Sequence, residues 1–522
     1  MSVRTRRWAL GCAALVLVGL PGAAAADNSG GGGLGQDLDT LLSNPALAGA
    51  QTGLVVRDAD TGAVLYSRHP ESLLQPASNT KLLTSAAALD VLGPDYRFAT
   101  TVSGDGKRAG SVLAGDLFLK GTGDPTLLAK DYQALAAQVA ASGVKTVVGQ
   151  LVADDTWFDS VRLGVGWAWD DEPYSYNAQI SALSVSPDTD YDAGSVIVRV
   201  APGQAGRPAA VTVDPPSDYL KVVNTAVTGS AGSASSVVVD REHGTNTITV
   251  AGSIPAGGAT DNEYMAVWNP TGFAASVFRK ALADNGVRVL GSTAYRATPG
   301  SAAPLARRES IPLSGLLVPF LKLSNNMHAE ILTKAAGRQV SGHGSWDAGL
   351  RALDAKLAGL GVDPAAFRTV DGSGLSRMDS VTTDQFAKLL VAAKSRSWFP
   401  AWYNALPVAG NPDRLVGGTL RARMAGTAAA NNVHAKTGSL TGVSGLSGYV
   451  TAANGEKLVF SLLENNYLGG TPKSVEDAVA VRLATYTGAG DKSQPGLSPR
   501  TARVAPADTR RDALECSWVH AC

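Results

Sequence analysis

Cysteine is scarce in this sequence, which contains three among 522 residues: Cys12, Cys516 and Cys522. Cys12 lies in an N-terminal apolar run, so only the other two could pair, and they would close a very small loop. A core that depends on disulfides is therefore not expected. The six histidines show no metal-ligand spacing. We expect neither a metal nor another cofactor.

The sequence also lacks an excess of positive or negative charge. Lysine plus arginine and aspartate plus glutamate both number 45, so the formal net charge is zero. This balance argues against a nucleic-acid partner and against an acidic solvating tail. After the first twenty residues no apolar run is long enough to cross a bilayer, so we expect no membrane span in the mature chain.

The first 26 residues have the features of a secretory signal peptide. Arg4, Arg6 and Arg7 precede an apolar run from Trp8 to Leu20, and three alanines before Asp27 offer a cleavage site. The alternative is an uncleaved membrane anchor. We expect cleavage and an extracytoplasmic protein.

What the sequence does contain is a serine at the start of an apolar helix. The run from Leu82 to Leu92 is rich in Ala and Leu and stops at Gly93-Pro94, which predicts a helix with a defined end. Ser78 lies near its first turn, and Lys81 follows on the same face. A serine beside an amine at a helix N-terminus could be an activated nucleophile, although such a serine is usually a cap.

Two later stretches favour the nucleophile. Ser324-Asn325-Asn326 lies where a loop meets a predicted helix, and Lys436-Thr437-Gly438 begins a predicted hairpin closed by Asn454-Gly455. The patterns Ser-x-x-Lys, Ser-x-Asn and Lys-Thr-Gly in this order are the signature set of penicillin-binding proteins and serine β-lactamases. The stretch between Lys81 and Ser324 is too long for a β-lactamase and indicates a large insert.

With these motifs the chain resembles the class C low-molecular-weight penicillin-binding proteins. This is the D-alanyl-D-alanine carboxypeptidase/endopeptidase group of the DacB or PBP4 type (peptidase family S13), here in an actinobacterial-like form. Residues 119–127, 371–376 and 418–420 support the resemblance, which covers roughly residues 40–486. It implies a multi-domain α/β (α+β) fold. The transpeptidase domain would have a five-stranded antiparallel sheet between helices, with nested β-rich insert domains.

The domain organisation follows from this resemblance and from changes in composition along the chain. We read the Gly-rich residues 28–35 as a flexible leader. The predicted units are a signal peptide (1–26), a catalytic domain (36–96 and 305–486), insert domain II (97–184 and 263–304), a nested β-rich domain III (185–262) and a disordered tail (487–522).

The chemistry starts at Ser78, which would attack the carbonyl between two D-alanines and form an acyl-enzyme. Lys81 would be the base if its amine is neutral, which burial and a nearby cation such as Lys436 favour. Ser324 would pass a proton to the leaving nitrogen. Asn326 would hold both Lys81 and the substrate backbone.

The remaining predicted residues bind the substrate. Lys436 and Thr437 would bind the terminal carboxylate, and Gly438 would let the backbone approach the ligand. By resemblance, the backbone N–H groups of Ser78 and Ser439 form the oxyanion hole. Thr437 could instead be an ordinary strand residue, and Asn325 could serve only in a turn.

A side-chain pocket is the least defined part of the site. In actinobacterial members of this group a pocket can recognise the free D-end of diaminopimelate, a zwitterion that an acidic residue and an arginine suit. The alternative is that Trp167 is a core or lid residue and Asp170 a surface turn residue. His328 is expected to pack a helix and not to catalyse. The candidates for the pocket are Trp167, Asp170, Leu375, Arg377 and Leu440.

The function that this set implies is a secreted, cell-wall-associated serine-type D-Ala-D-Ala carboxypeptidase with endopeptidase activity. Its partners would be peptidoglycan stem peptides, with β-lactam antibiotics as inhibitors. One alternative is a β-lactamase, but no dedicated acidic residue has a β-lactamase-like spacing. Another is a cell-wall scaffold without catalysis, against which the intact motifs argue.

Overall fold

A five-stranded antiparallel sheet forms the centre of the computed structural model, which describes residues 33–492. The predicted signal peptide therefore lies outside the described residues. The sheet confirms the predicted fold class, and its last strand, which carries the Lys436-Thr437-Gly438 motif, lies at an edge. The strands lie side by side in the order Val64–Arg68, Gln51–Asp58, Lys457–Asn465, Val443–Thr451 and His434–Leu440.

Two hairpins of this sheet, Gln51–Asp58 with Val64–Arg68 and Val443–Thr451 with Lys457–Asn465, form where the sequence contains turn residues. Asp58 Oδ1 accepts the N–H of Asp60 at 3.0 Å and thereby closes the first turn. In the second turn Gly455 has a φ of +90°, which glycine adopts without the clash that a Cβ would cause. These local turns fix the register of the flanking strands.

Helices cover both faces of this sheet. On one face they pack around the helix Thr80–Leu92, which is buried along most of its length and whose Ala86 and Ala87 are completely buried. Because apolar residues lie on all sides of this helix, it lies inside the layer and not at its surface. Its companions are Leu313–Lys322, Asn326–Ser341, Trp346–Ala358, Thr383–Ala393 and Phe399–Ala405, with the short helix Arg414–Gly417 nearby.

The opposite face is covered by the helices Gly33–Leu42 and Lys473–Ala484. The prediction of a flexible leader is therefore wrong for residues 33–35, because Leu38 and its apolar neighbours are buried against the sheet and the last helix. The predicted disordered tail also begins too early. The Asp491 carboxylate contacts the buried Arg482 guanidinium, and Gly33 N–H donates to the Asp491 carbonyl at 3.2 Å.

The predicted insert contains several smaller sheets. Its division into two domains stays a prediction, and the strand Ala303–Glu309, which pairs with Ala99–Gly104, crosses the boundary expected at residue 304. Two helices, Ala129–Ala141 and Pro270–Asp284, pack beside these sheets. The other strands up to residue 154 and after residue 286 are Lys107–Ala109, Val112–Ala114, Leu117–Gly121, Thr146–Val147, Leu151–Asp154, Arg288–Val289 and Thr293–Tyr295.

The middle of the insert is rich in strands, as its Val-rich runs predict. Three antiparallel strands, Ala210–Asp214, Ser195–Ala201 and Asp261–Ala266, form one sheet. The remaining strands are Lys221–Asn224, Thr247–Ala251 and Val238–Arg241 in a second sheet, and Val227–Gly229 with Ser253–Pro255 in a third. Across the described range, 33–492, no helix has the combination of length and apolar character needed to cross a membrane.

Candidate active site

Ser78 lies in a tight turn, Ala77–Asn79, that leads directly into the predicted helix. Ala77 has a φ of +47°, a left-handed conformation that residues with a side chain rarely adopt. Two glycines allow the turn to be enclosed. A Cβ added to Gly374 would lie 1.8 Å from the Ala77 carbonyl oxygen, and one added to Gly438 would lie 2.7 Å from a backbone oxygen at the start of the turn. The serine is therefore held between the Gly374 loop and the edge strand.

Lys81 is fully buried beside this serine. Its Nζ lies 2.7 Å from Ser78 Oγ, 2.7 Å from Asn326 Oδ1 and 3.0 Å from the Ser373 carbonyl oxygen. Asn326 in turn donates its Nδ2 hydrogen to the Tyr176 carbonyl at 2.9 Å. The structure thus brings the predicted nucleophile, the lysine and the asparagine into one hydrogen-bonded group. At this distance a neutral amine can take the hydroxyl proton.

The Lys436-Thr437-Gly438 motif is hydrogen-bonded to the Ser324-Asn325-Asn326 motif. Lys436 is fully buried and its Nζ donates to Ser324 Oγ at 2.8 Å and to the Thr437 carbonyl at 2.9 Å. Thr437 Oγ1 lies 2.8 Å from Thr419 Oγ1. The lysine thereby connects the edge strand to the serine of the Ser-x-Asn motif. The residues of the three motifs form two hydrogen-bonded groups, one around each lysine.

A buried carboxylate, Glu330, holds the loop whose carbonyl contacts Lys81. It accepts the backbone N–H groups of Gly372 and Ser373 at 2.9 and 2.8 Å and the indole N–H of Trp346 at 2.6 Å. Burial and the neighbouring Asp371 carboxylate raise the pKa of Glu330 to about 7. Sequence reasoning missed Glu330, although it lies one helical turn after Asn326 and so on the same helix face.

Asp371 organises the same loop from within. Its two oxygens accept the N–H groups of Gly374 and Ser376, both at 2.7 Å, and the indole N–H of Trp167 at 2.9 Å. Asp371 lies in a stretch that the sequence analysis used only for the family resemblance. Trp167 is thus fixed by a hydrogen bond and by an edge-on contact with Trp346, whose ring centre is 6.0 Å away.

The five predicted pocket residues separate into two groups. Leu375 and Leu440, each 4% exposed, form an apolar cluster against which Trp167 packs, and Ala77 next to the nucleophile belongs to the same cluster. Asp170 is exposed. Arg377 is also exposed and donates to the Thr441 carbonyl at 2.7 Å. Over residues 33–492 no hydrogen bond or ion pair joins Asp170 to Arg377. The pocket that these residues were predicted to form stays a prediction.

His328 is fully buried and packs edge-on against Phe320, as expected for a packing residue. Its Nε2 lies 2.9 Å from the Tyr191 carbonyl oxygen. Burial lowers the pKa of His328 to about 3. The imidazole is therefore neutral at physiological pH, and Nε2 is the donor to Tyr191.

This low pKa predicts a loss of stability in acid. Between pH 6.5 and 3 the unfolded chain binds a proton at His328 that the folded chain excludes, so the free energy of unfolding falls as the pH falls through this window. His328→Gln keeps a donor for Tyr191. Between pH 6.5 and 4.5 we expect its free energy of unfolding to fall by about 2 kcal/mol less than that of wild type. Urea unfolding followed by tryptophan fluorescence at both pH values measures the difference. Equal losses in the two proteins would contradict the prediction.

The chain as a whole is similar to several known proteins. A family model described as the D-Ala-D-Ala carboxypeptidase 3 (S13) family matches residues 34–486. The D-alanyl-D-alanine carboxypeptidase of Actinomadura sp. (strain R39) is 49% identical over 495 residues, which cover 94% of this chain and 90% of that protein. The crystal structure of penicillin binding protein 4 (dacB) from Haemophilus influenzae matches with a TM-score of 0.73 and 25% identity, over 86% of this chain and 99% of that one. A second structure of the Haemophilus protein, complexed with a novel β-lactam, matches over the same shares with a TM-score of 0.68 and 24% identity.

Proposed function

The chain belongs to the D-Ala-D-Ala carboxypeptidase 3 (S13) family, and from that membership we propose that it cleaves peptidoglycan stem peptides through an acyl-enzyme on Ser78. The family is the one that the three motifs predict, and the chain is a D-Ala-D-Ala carboxypeptidase with a penicillin-binding fold. The observation that carries the proposed mechanism is the 2.7 Å contact between Ser78 Oγ and Lys81 Nζ.

Acylation begins at this contact. Ser78 Oγ forms a bond to the carbonyl carbon between the two D-alanines while its proton passes to the neutral Lys81 amine. The negative charge that develops on the carbonyl oxygen is received by the backbone N–H groups of Ser78 and Ser439. Donors of this kind each lower the barrier by about 3 kcal/mol. The turn around Ser78 supports this step because it is already held in place by Gly374 and Gly438.

Release of the terminal D-alanine needs a proton on its nitrogen. As the carbon–nitrogen bond breaks, Ser324 Oγ gives its proton to the leaving nitrogen and takes a proton from Lys436 Nζ. The 2.8 Å contact between Ser324 Oγ and Lys436 Nζ supports this role. Lys436 and Thr437 bind the substrate carboxylate, and Asn326 orients the Lys81 amine through its Oδ1.

Deacylation returns the enzyme to its starting state. A water molecule attacks the ester carbonyl and loses a proton, which passes through Ser324 Oγ to Lys436. The bond to Ser78 Oγ breaks, and Lys81 returns its proton to Oγ. A β-lactam would acylate Ser78 in the same way, but its leaving nitrogen stays tethered beside the ester and slows the attack of water. The β-lactam complex of the Haemophilus protein supports the proposal that such antibiotics inhibit this enzyme.

The substrate side chain would lie against the apolar cluster. Trp167, Leu375 and Leu440 form a wall next to the nucleophile turn. We assign Asp170 and Arg377 to the outer, exposed part of the same pocket, where they would pair with the charged end of a stem-peptide side chain. The signal-peptide features of residues 1–26 and a substrate that lies outside the cytoplasm both favour a secreted, wall-associated enzyme.

A peptide assay tests this function directly. The purified protein is incubated with a stem peptide that ends in D-Ala-D-Ala and, separately, with a cross-linked dimer of such peptides. We expect D-alanine from the first and monomers from the second, and prior treatment with penicillin should abolish both. Rapid penicillin turnover without D-alanine release would instead identify a β-lactamase. A protein that neither releases D-alanine nor turns over penicillin would be a scaffold.

A further inference from the structure

Residues 188–192 of the predicted insert contact the second catalytic motif, and we call this segment the clamp loop. Asn325 Nδ2 donates to Asp192 Oδ1 at 2.8 Å and lies 3.3 Å from the Tyr191 carbonyl oxygen. The same carbonyl accepts the Nε2 hydrogen of His328. The insert therefore makes hydrogen bonds to the middle residue of the Ser324-Asn325-Asn326 motif, which the sequence suggested could serve only in a turn.

Asn325 lies between two helices, and its hydrogen bonds to both helices determine where Ser324 lies. Its backbone N–H donates to the Phe320 carbonyl at 3.0 Å and closes the helix before it, while its Oδ1 accepts the His328 N–H at 3.1 Å and caps the helix after it. Ser324 lies between these two bonds with a φ of +59°. A residue with a side chain is strained in this left-handed conformation, so neighbouring contacts must maintain it.

The clamp loop is itself anchored on its other side. Both terminal nitrogens of Arg414 donate to the Asp190 carboxylate, each at 2.5 Å. Asp188 accepts the Tyr264 hydroxyl at 2.9 Å. The carboxylates of Asp188, Asp190 and Asp192 converge within 4.8 Å of one another. A bidentate arginine pair of this kind fixes orientation as well as position. The clamp loop is thus hydrogen-bonded to Arg414 on one side and to Asn325 on the other.

We propose that Asn325 and the clamp loop are positioning residues, through which the insert holds Ser324 at the distance from Lys436 that proton transfer requires. Neither Asn325 nor Asp192 touches the reacting atoms in this scheme. Both act through the backbone of Ser324, whose Oγ accepts a hydrogen bond from Lys436. The inference rests on the proposed function, since it requires Ser324 to take part in acylation.

An exchange of donor and acceptor tests the contact between Asn325 and Asp192. Asn325→Asp keeps an oxygen to cap the following helix, but it loses the Nδ2 donor and puts a carboxylate against Asp192. We expect the rate constant for acylation by a fluorescent penicillin to fall about 100-fold, the effect of misplacing a reacting group by about 1 Å. Adding Asp192→Asn restores a hydrogen bond with its donor and acceptor exchanged, and the double variant should acylate at least about tenfold faster than Asn325→Asp.

The controls separate positioning from folding. Asn285→Asp makes the same chemical change at a helix end inside the insert, where Asn285 Nδ2 contacts Gln133, and should acylate at the wild-type rate. In every variant the final labelled fraction should equal that of wild type. A lower labelled fraction with an unchanged rate would mean a folding role only and would overturn the proposal. So would a double variant no faster than Asn325→Asp. If wild type itself takes no label, the proposed function fails instead.

Discussion

Ser78→Ala should take no covalent label from penicillin and should release D-alanine at least about 10⁴-fold more slowly than wild type, because it lacks the hydroxyl that forms the ester. The substitution removes one hydroxyl from a turn whose shape depends on Ala77, Gly374 and Gly438, so the turn itself should persist. Removing the hydrogen bond to Lys81 should cost about 1 kcal/mol of stability, which leaves the protein folded. Gel fluorescence after labelling and a D-alanine assay measure the two losses.

A matched serine on the same helix provides the control. Ser85 is buried, and its Oγ donates to the Lys81 carbonyl at 2.6 Å and accepts the Trp402 indole N–H at 2.7 Å. Ser85→Ala should lower the thermal unfolding midpoint, since it leaves the indole without its acceptor, but it should label fully. Labelling of Ser78→Ala to the same stoichiometry as wild type would show that another residue is the nucleophile.

Lys81→Met should slow acylation and peptide hydrolysis by about 10²- to 10⁴-fold, the contribution of a positioned proton acceptor. Methionine fills nearly the same space but cannot take the hydroxyl proton, and it leaves Asn326 Oδ1 and the Ser373 carbonyl without the donor they share. The loss should therefore appear in the rate constant for acylation and not only in substrate affinity. Stopped-flow labelling over a range of penicillin concentrations separates the two.

Another buried lysine shows whether this loss is specific. Lys334 donates to the Asp159 carboxylate at 2.6 Å and lies 3.8 Å from the centre of the Trp346 ring. Lys334→Met should reduce stability, because it removes the ion pair with Asp159 and the cation over the Trp346 ring, yet acylate within about tenfold of wild type. If Lys81→Met acylates as fast as the Lys334→Met control, Lys81 is not the base.

Local patterns were sufficient to predict the helix after Ser78, its end at Gly93 and the turn at Gly455. In each case residue types a few positions apart determine the conformation. The order of the three motifs also predicted the family. The helix Gly33–Leu42 was missed because its glycines suggest a flexible chain, whereas Leu34, Leu38 and Leu41 at helical spacing become buried against the final helix. The stabilisation from this burial depends on a surface formed by residues more than 400 positions later in the sequence.

The roles of the carboxylates near Lys81 could not be predicted from the sequence, for a related reason. The role of Glu330 arises from the backbone N–H groups of Gly372 and Ser373, about forty residues away, which no short motif encodes. Exposed loop residues such as Asp170 and Arg377 were also difficult, because the direction of an exposed side chain depends on the whole surrounding surface. Residue identity predicted which side chains meet at the site, but not the hydrogen bonds that hold them in place.

The central sheet pairs the beginning of the chain with its end, and this has a consequence for when the enzyme becomes active. Strand Gln51–Asp58 lies between its hairpin partner and Lys457–Asn465, and the Gln75 N–H donates to Asn465 Oδ1 across 390 residues of sequence. During synthesis the chain emerges from its N-terminus, so the middle of the sheet and the Lys436 strand are completed last. A partly emerged chain already contains the serine but has no site, and hydrolysis can begin only once nearly all of the polypeptide is available to fold.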